Sequence, residues 1–253
     1  MQRFLSPILQ EERIEIYYRK LVPIVLVNDE NRGFLLAERI LSEVLQKETV
    51  LFLSGGKTPK DLYKRLSLLH SLSIGAVGLV DERGGGKFHS NSNERMIQET
   101  GFLHYIQRMN VPFYPILDNT DNIEKMALHY DETVQSLLGN FPKSVAVLGI
   151  GLDGHTAGII GERRDFKNPI FTINKNSLIA GFTDPNGQFR ERITMTFHGL
   201  SMIDLLLVLV FGPDKKKALE KIFTQGSQEE IPGRFYTQPI IAEKTLFITD
   251  QNI

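Results

Sequence analysis

Short runs of β-branched and aliphatic residues recur along this chain, each followed by a stretch with helical spacing. That recurrence limits the fold more than any other feature. The runs fall at 24–27, 50–53, 76–80, 145–148, 178–182, 193–196 and 205–211. They are continuous rather than alternating, as expected of strands buried on both faces, and burial on both faces is the habit of parallel sheets. Segments 30–46, 59–71, 91–107, 122–138 and 213–223 read as helices; in the first, Phe34, Ala37, Ile40, Leu41, Val44 and Leu45 share one face. The expected fold is α/β: a mostly parallel central sheet with helices on both faces.

The chain has 253 residues and no Pro/Gly/Ser-rich linker, repeat or low-complexity tract, so a single domain over 1–253 is expected, with 1–22 as an N-terminal extension. Its 29 basic and 30 acidic side chains give a formal charge of -1. No global field then favours nucleic acid or a membrane surface, and an anionic ligand must be held by a local site. Cysteine is absent, which excludes disulfides, thiolate catalysis and cysteine metal sites. The longest apolar run, 205–211, is far short of the ~20 residues that span a bilayer. The N-terminus alternates apolar residues with Glu11, Glu12 and Glu15 and lacks a signal-peptide apolar core. A cytoplasmic protein, monomeric or a small homo-oligomer, is expected.

In such a sheet, ligands bind beyond the carboxyl ends of the strands, and the chemically suggestive residues fall in the loops there. After 50–53 comes Ser54-Gly55-Gly56-Lys57-Thr58-Pro59, with Thr58 expected as helix N-cap and Pro59 at the first helical position; free N–H groups at such a start attract phosphate. A P-loop is excluded because position 51 holds Leu51 where that motif needs glycine. After 76–80 comes Asp81-Glu82-Arg83-Gly84-Gly85-Gly86, whose arginine is suited to gripping an oxyanion through two donors.

The third loop is Gly149-Ile150-Gly151-Leu152-Asp153-Gly154-His155-Thr156-Ala157, which sets a carboxylate and an imidazole two residues apart on a glycine-rich turn. Its glycines also spell the dinucleotide fingerprint G-x-G-x-x-G. However, Gly158 and Gly161 interrupt the helix that should follow, and no acid for the ribose lies near Asn174. The fourth loop opens a helix at Pro213, where Lys215 is expected to point inward and Lys216 and Lys217 outward. Arg192 precedes the strand at 193–196, and so lies at the far end of the sheet unless the chain there runs antiparallel or bends. No metal-ligand spacing and no G-x-S-x-G elbow is present, so neither a metal, a cofactor nor a serine nucleophile is expected.

Together and in this order, Ser54-Gly55-Gly56-x-Thr58-Pro59, Asp81-Glu82-Arg83 with Ser92-Asn93, Gly149-x-Gly151-x-Asp153-Gly154-His155-Thr156-Ala157, Arg192-Ile193-Thr194 and Asp214-Lys215 resemble the 6-phosphogluconolactonases. That group sits within a larger one that also holds the glucosamine-6-phosphate isomerases. The resemblance runs from about Ile24 to Asp250 and implies a Rossmann-like, NagB/RpiA-type domain. The isomerase pattern reads D-G-H-I-A-F-N-E-P; here Thr156 follows the histidine, Ile160 stands where the isomerase glutamate would be, and Arg83 replaces the tyrosine of D-E-Y. All three favour the lactonase branch. The chain departs from the lactonase pattern at Gly84 to Gly86, Gly158 and 159–161, without touching the charged groups.

What the resemblance implies is hydrolysis of 6-phospho-D-glucono-1,5-lactone to 6-phosphogluconate, the second step of the oxidative pentose phosphate pathway. His155 would activate water, oriented by Asp153 or Asp81. Ser54, Gly55, Gly56, Thr58, Arg83, Thr156 and Lys215 would bind substrate, and Arg192 its phosphate or oxyanion. The alternatives are a non-catalytic phosphosugar-binding protein and a glucosamine-6-phosphate isomerase/deaminase.

Overall fold

The computed structural model describes residues 14–70, 72–118, 120, 122–173 and 176–253. In chain order the elements are β1 (Ile16–Arg19), β2 (Val22–Leu26), α1 (Glu30–Val44), β3 (Thr49–Leu53), α2 (Lys57–Leu66), β4 (Ala76–Leu79), β5 (Asp81–Arg83), α3 (Asn93–Glu99), α4 (Phe102–Arg108), β6 (Phe113–Tyr114), α5 (Ile123–Asn140), β7 (Lys143–Gly149), β8 (Ile179–Thr183), β9 (Glu191–Met195), α6 (Phe197–Ser201), β10 (Leu205–Val210), α7 (Lys216–Phe223), α8 (Pro239–Ala242) and β11 (Thr245–Thr249).

An eight-stranded sheet runs in the order β1-β2-β11-β10-β7-β3-β4-β6. Every pairing in it is parallel except β1 with β2. All residues of β3, β4, β10 and β11 are buried, as their apolar composition requires. The helices seal the sheet with apolar faces: α1 buries Phe34, Ala37, Ile40 and Leu41 and starts at Asp29, whose carboxylate accepts the Arg32 N–H. α5 starts at Asn122 and buries Tyr130, whose hydroxyl is wedged against the backbone of Leu79. The part of the 1–22 segment that is described adds β1 to one edge of the sheet.

Three expectations need correction. The strands at 178–182 and 193–196 are not part of the central sheet. With β5 they form a separate three-stranded antiparallel sheet in the order β5-β9-β8. An apolar run shows that a strand is buried but not which sheet it joins, and β5 carried no signal because its three residues are all charged. Thr58 is not a helix N-cap: α2 begins one residue before it, and its cap is Gly56. The expected helix 91–107 is two, broken at Gly101 in the left-handed region (φ 82°). Among the described residues no helix is long and apolar enough to cross a membrane.

Candidate active site

From β3 the chain steps outward to β4 and β6, whereas from β7 it steps the other way to β10 and β11. β3 and β7 are neighbours, so the direction of winding reverses between them, and at such a reversal the loops beyond the strands part to leave a crevice. An open cleft of about 550 Å³ lies there, lined among others by the loops after β3, β7 and β10 and by residues of β5 and β9. That volume suits a small phosphorylated metabolite.

The loop after β7 presents His155. Its Nδ1 lies 2.6 Å from Asp153 Oδ1, which also accepts the His155 backbone N–H at 3.1 Å. Partial desolvation pushes the Asp153 carboxyl up, but the hydrogen bond and charge of His155 outweigh it and hold the group well below the usual carboxylate range. An ionised carboxylate only accepts, so Nδ1 is the donor of this bond, and in the neutral imidazole the lone pair lies on Nε2. A Cβ at Gly151 would lie 2.1 Å from Nδ1, so this position must lack a side chain for the ring to occupy its place. Asp81, the other expected orienting group, has no hydrogen bond to His155; its carboxylate accepts from Asn93 Nδ2 at 3.3 Å.

Three parts of the cleft offer positive potential. The cap Gly56 makes no side-chain hydrogen bond to α2, so the N-terminal amides of that helix face the cleft uncapped. Lys215 points inward as expected, its Nζ donating to Ile150 O at 2.8 Å, while Lys216 and Lys217 are exposed. The third contribution comes from the small sheet. Antiparallel pairing of β5 with β9 sets Arg83 directly opposite Arg192. Arg192 is therefore not at a distant sheet end, and both arginines line the cleft. Each has a buried Nε with no hydrogen-bond partner. Burial pulls the Arg192 guanidinium down from its usual range and the neighbouring Arg83 adds to this, with Asp81 opposing. Two like charges face each other with donors unspent, an arrangement that an anion between them would relieve.

Asn93 joins these parts. Its amide nitrogen donates to Asp81 O at 2.8 Å and its amide oxygen accepts from Arg83 Nη1. Gly55 packs so closely against it that a Cβ there would lie 1.9 Å from Asn93 Oδ1. Glu82, between the two cleft residues of β5, turns away and accepts the backbone N–H groups of Arg83, Asn93 and Glu94 at 2.7–2.9 Å. Its burial pushes its pKa up to about 7 against the lowering effect of those donors.

The cleft thus gathers Ser54, Gly55, Gly56, Thr58, Asp81, Arg83, His155, Arg192 and Lys215. Thr156, expected to bind substrate, does not line it. Its hydroxyl donates to Gly149 O at 3.0 Å and bonds the buried Tyr236 hydroxyl at 2.7 Å, bracing the loop from behind. Lys57, Glu30 and Asp61 line the cleft without having been singled out from the sequence; each reads there as an ordinary charge of a helix start. Among the described residues no three His, Asp or Glu side chains converge as a metal site.

Comparison with known proteins gives a consistent family. Residues 35–245 match the model of the glucosamine-6-phosphate isomerases/6-phosphogluconolactonase family. A 6-phosphogluconolactonase of Xylella fastidiosa is 31% identical over 184 residues, 72% of this chain and 74% of that protein. The crystal structure of a 6-phosphogluconolactonase from Thermotoga maritima superposes with a TM-score of 0.68 at 26% identity, covering 89% of this chain and 97% of that one. A monomeric glucosamine-6-phosphate deaminase gives the same TM-score at 20% identity, covering 89% of this chain and 96% of that one, a likeness of fold alone.

Proposed function

The chain belongs to the glucosamine-6-phosphate isomerase and 6-phosphogluconolactonase family, and from that premise we propose that it hydrolyses 6-phospho-D-glucono-1,5-lactone to 6-phosphogluconate. The observation that carries this reading is the His155–Asp153 pair at the cleft, bonded through Nδ1, with no carboxylate at position 160, where an isomerase needs one and this chain has buried Ile160.

Water attacks the lactone carbonyl carbon as His155 Nε2 takes its proton. The tetrahedral oxyanion collapses, the bond from C1 to the ring oxygen breaks, and the imidazolium returns the proton to that oxygen. A single imidazole serves both transfers. Asp153 orients the ring and stabilises its charged form. Arg83, Arg192, Lys215 and the uncapped start of α2 hold the phosphate and the developing oxyanion.

The test is a coupled assay on freshly generated lactone, read against spontaneous hydrolysis, with ammonia release from glucosamine 6-phosphate measured alongside. Accelerated lactone opening without ammonia is expected. Ammonia release would establish the isomerase/deaminase chemistry, and a thermal shift with 6-phosphogluconate but no acceleration would leave a binding protein.

A further inference from the structure

Phe189 lies outside every motif behind the functional reading. It belongs to the turn between β8 and β9, which is built with care. At its start the Asp184 N–H donates to Arg190 O at 2.6 Å, and the fully buried Asp184 carboxylate takes two Arg163 nitrogens at 2.9 Å each. At its end Phe189 meets both cleft arginines: the guanidinium carbon of Arg83 lies 4.8 Å from the ring centroid and that of Arg192 5.5 Å. Both distances fall within the ~6 Å over which a ring face attracts a cation. Phe189 itself lines a neighbouring hollow of about 560 Å³, with Gly84, His89 and Gln188, rather than the main cleft. The ring therefore meets the arginines from outside the cleft that both of them line.

We propose that Phe189 is a positioning residue: its ring, carried on the Asp184-anchored turn, holds Arg83 and Arg192 as a preformed fork for the phosphate of the ligand. Two guanidinium groups paired across β5 and β9 repel one another. Attraction to one aromatic ring offsets that repulsion while the site is empty and limits the rotamers each arginine visits, so less order must be imposed on binding. The inference rests on the proposed reading that this pair receives the phosphate.

The test is the affinity for 6-phosphogluconate and for inorganic phosphate, measured by calorimetry on the wild type, Phe189→Leu and Phe189→Tyr, with the melting temperature of each. Phe189→Leu should weaken both ligands about 3- to 30-fold, and Phe189→Tyr, which keeps the ring, should stay within about 2-fold of wild type. If Phe189→Leu lowers the melting temperature, Phe189→Met repeats the measurement at similar volume. Unchanged affinity in Phe189→Leu, or an equal loss in Phe189→Tyr, overturns the proposal. Lactone hydrolysis by the wild type is scored separately: rapid turnover with unchanged affinity in Phe189→Leu removes Phe189 alone, whereas binding without turnover removes the reaction alone. Wild-type protein that binds neither ligand overturns both.

Discussion

The central and the small sheet contribute to the cleft in different ways. The central sheet supplies backbone, one imidazole and one ammonium: the amides that start α2, the turn after β7 and Lys215 at the entry to α7 all hang on buried parallel strands. The small sheet supplies guanidinium charge, with Arg83 and Arg192 projected from paired antiparallel strands. A parallel sheet is apolar and arranges loops at its carboxyl edge; a short antiparallel pair places two long charged side chains in register. On the proposed mechanism the chemistry belongs to the first sheet and much of the ligand's charge recognition to the second.

Mutant kinetics should separate the two contributions. The largest effect is expected at the central sheet: His155→Ala should lower kcat by ~10²- to 10⁴-fold, as for a lost general base, and a lactonase kcat equal to wild type would break the assignment. Next, Arg192→Ala should act chiefly on KM, by roughly 10- to 100-fold for the loss of one charge-assisted partner. A kcat loss with KM unchanged would move that arginine from phosphate to oxyanion.

The remaining effect is on stability rather than turnover, and it again sits in the small sheet. Glu82 has a folded pKa near 7, above its usual 4.5, so the fold favours the protonated form. Its contribution is fully present below about pH 4.5 and is lost as pH rises through about 7, up to roughly 3 kcal/mol. Wild-type melting temperature should therefore carry a downward component between pH 5 and pH 8 that Glu82→Gln, which does not ionise, lacks. Parallel pH curves for the two proteins would refute this.

The same division governs what could be read from the sequence. Parallel strands announce themselves as unbroken apolar runs, so 50–53, 145–148 and 205–211 fall within or beside β3, β7 and β10. The loops that follow were legible because glycines and isolated charges stand out after such runs. The last strand, β11, went unread although all five of its residues are buried. Its flanking threonines dilute a run of only three apolar residues. β5 was invisible as a strand because Asp81, Glu82 and Arg83 are charged, and with it the pairing that brings Arg192 to the site. Thr156 differs from expectation for a related reason: next to His155 in sequence, it faces the buried Tyr236 because successive residues of a turn need not share a side. Phe189 had no signal, since its role depends on two arginines brought together only by the fold.

Asn93 has a consequence for how this site tolerates change. One side chain touches the backbone of Asp81, the guanidinium of Arg83 and the space beside Gly55, so three positions, one in the loop after β3 and two in β5, share a single partner. Substitutions among them will not be additive, because each alters the surroundings in which the next is received. A variant at Gly55 is harmful or harmless according to what stands at 93, and Arg83 loses one of its partners if that amide turns. These residues constitute an epistatic unit, replaceable together but seldom one at a time.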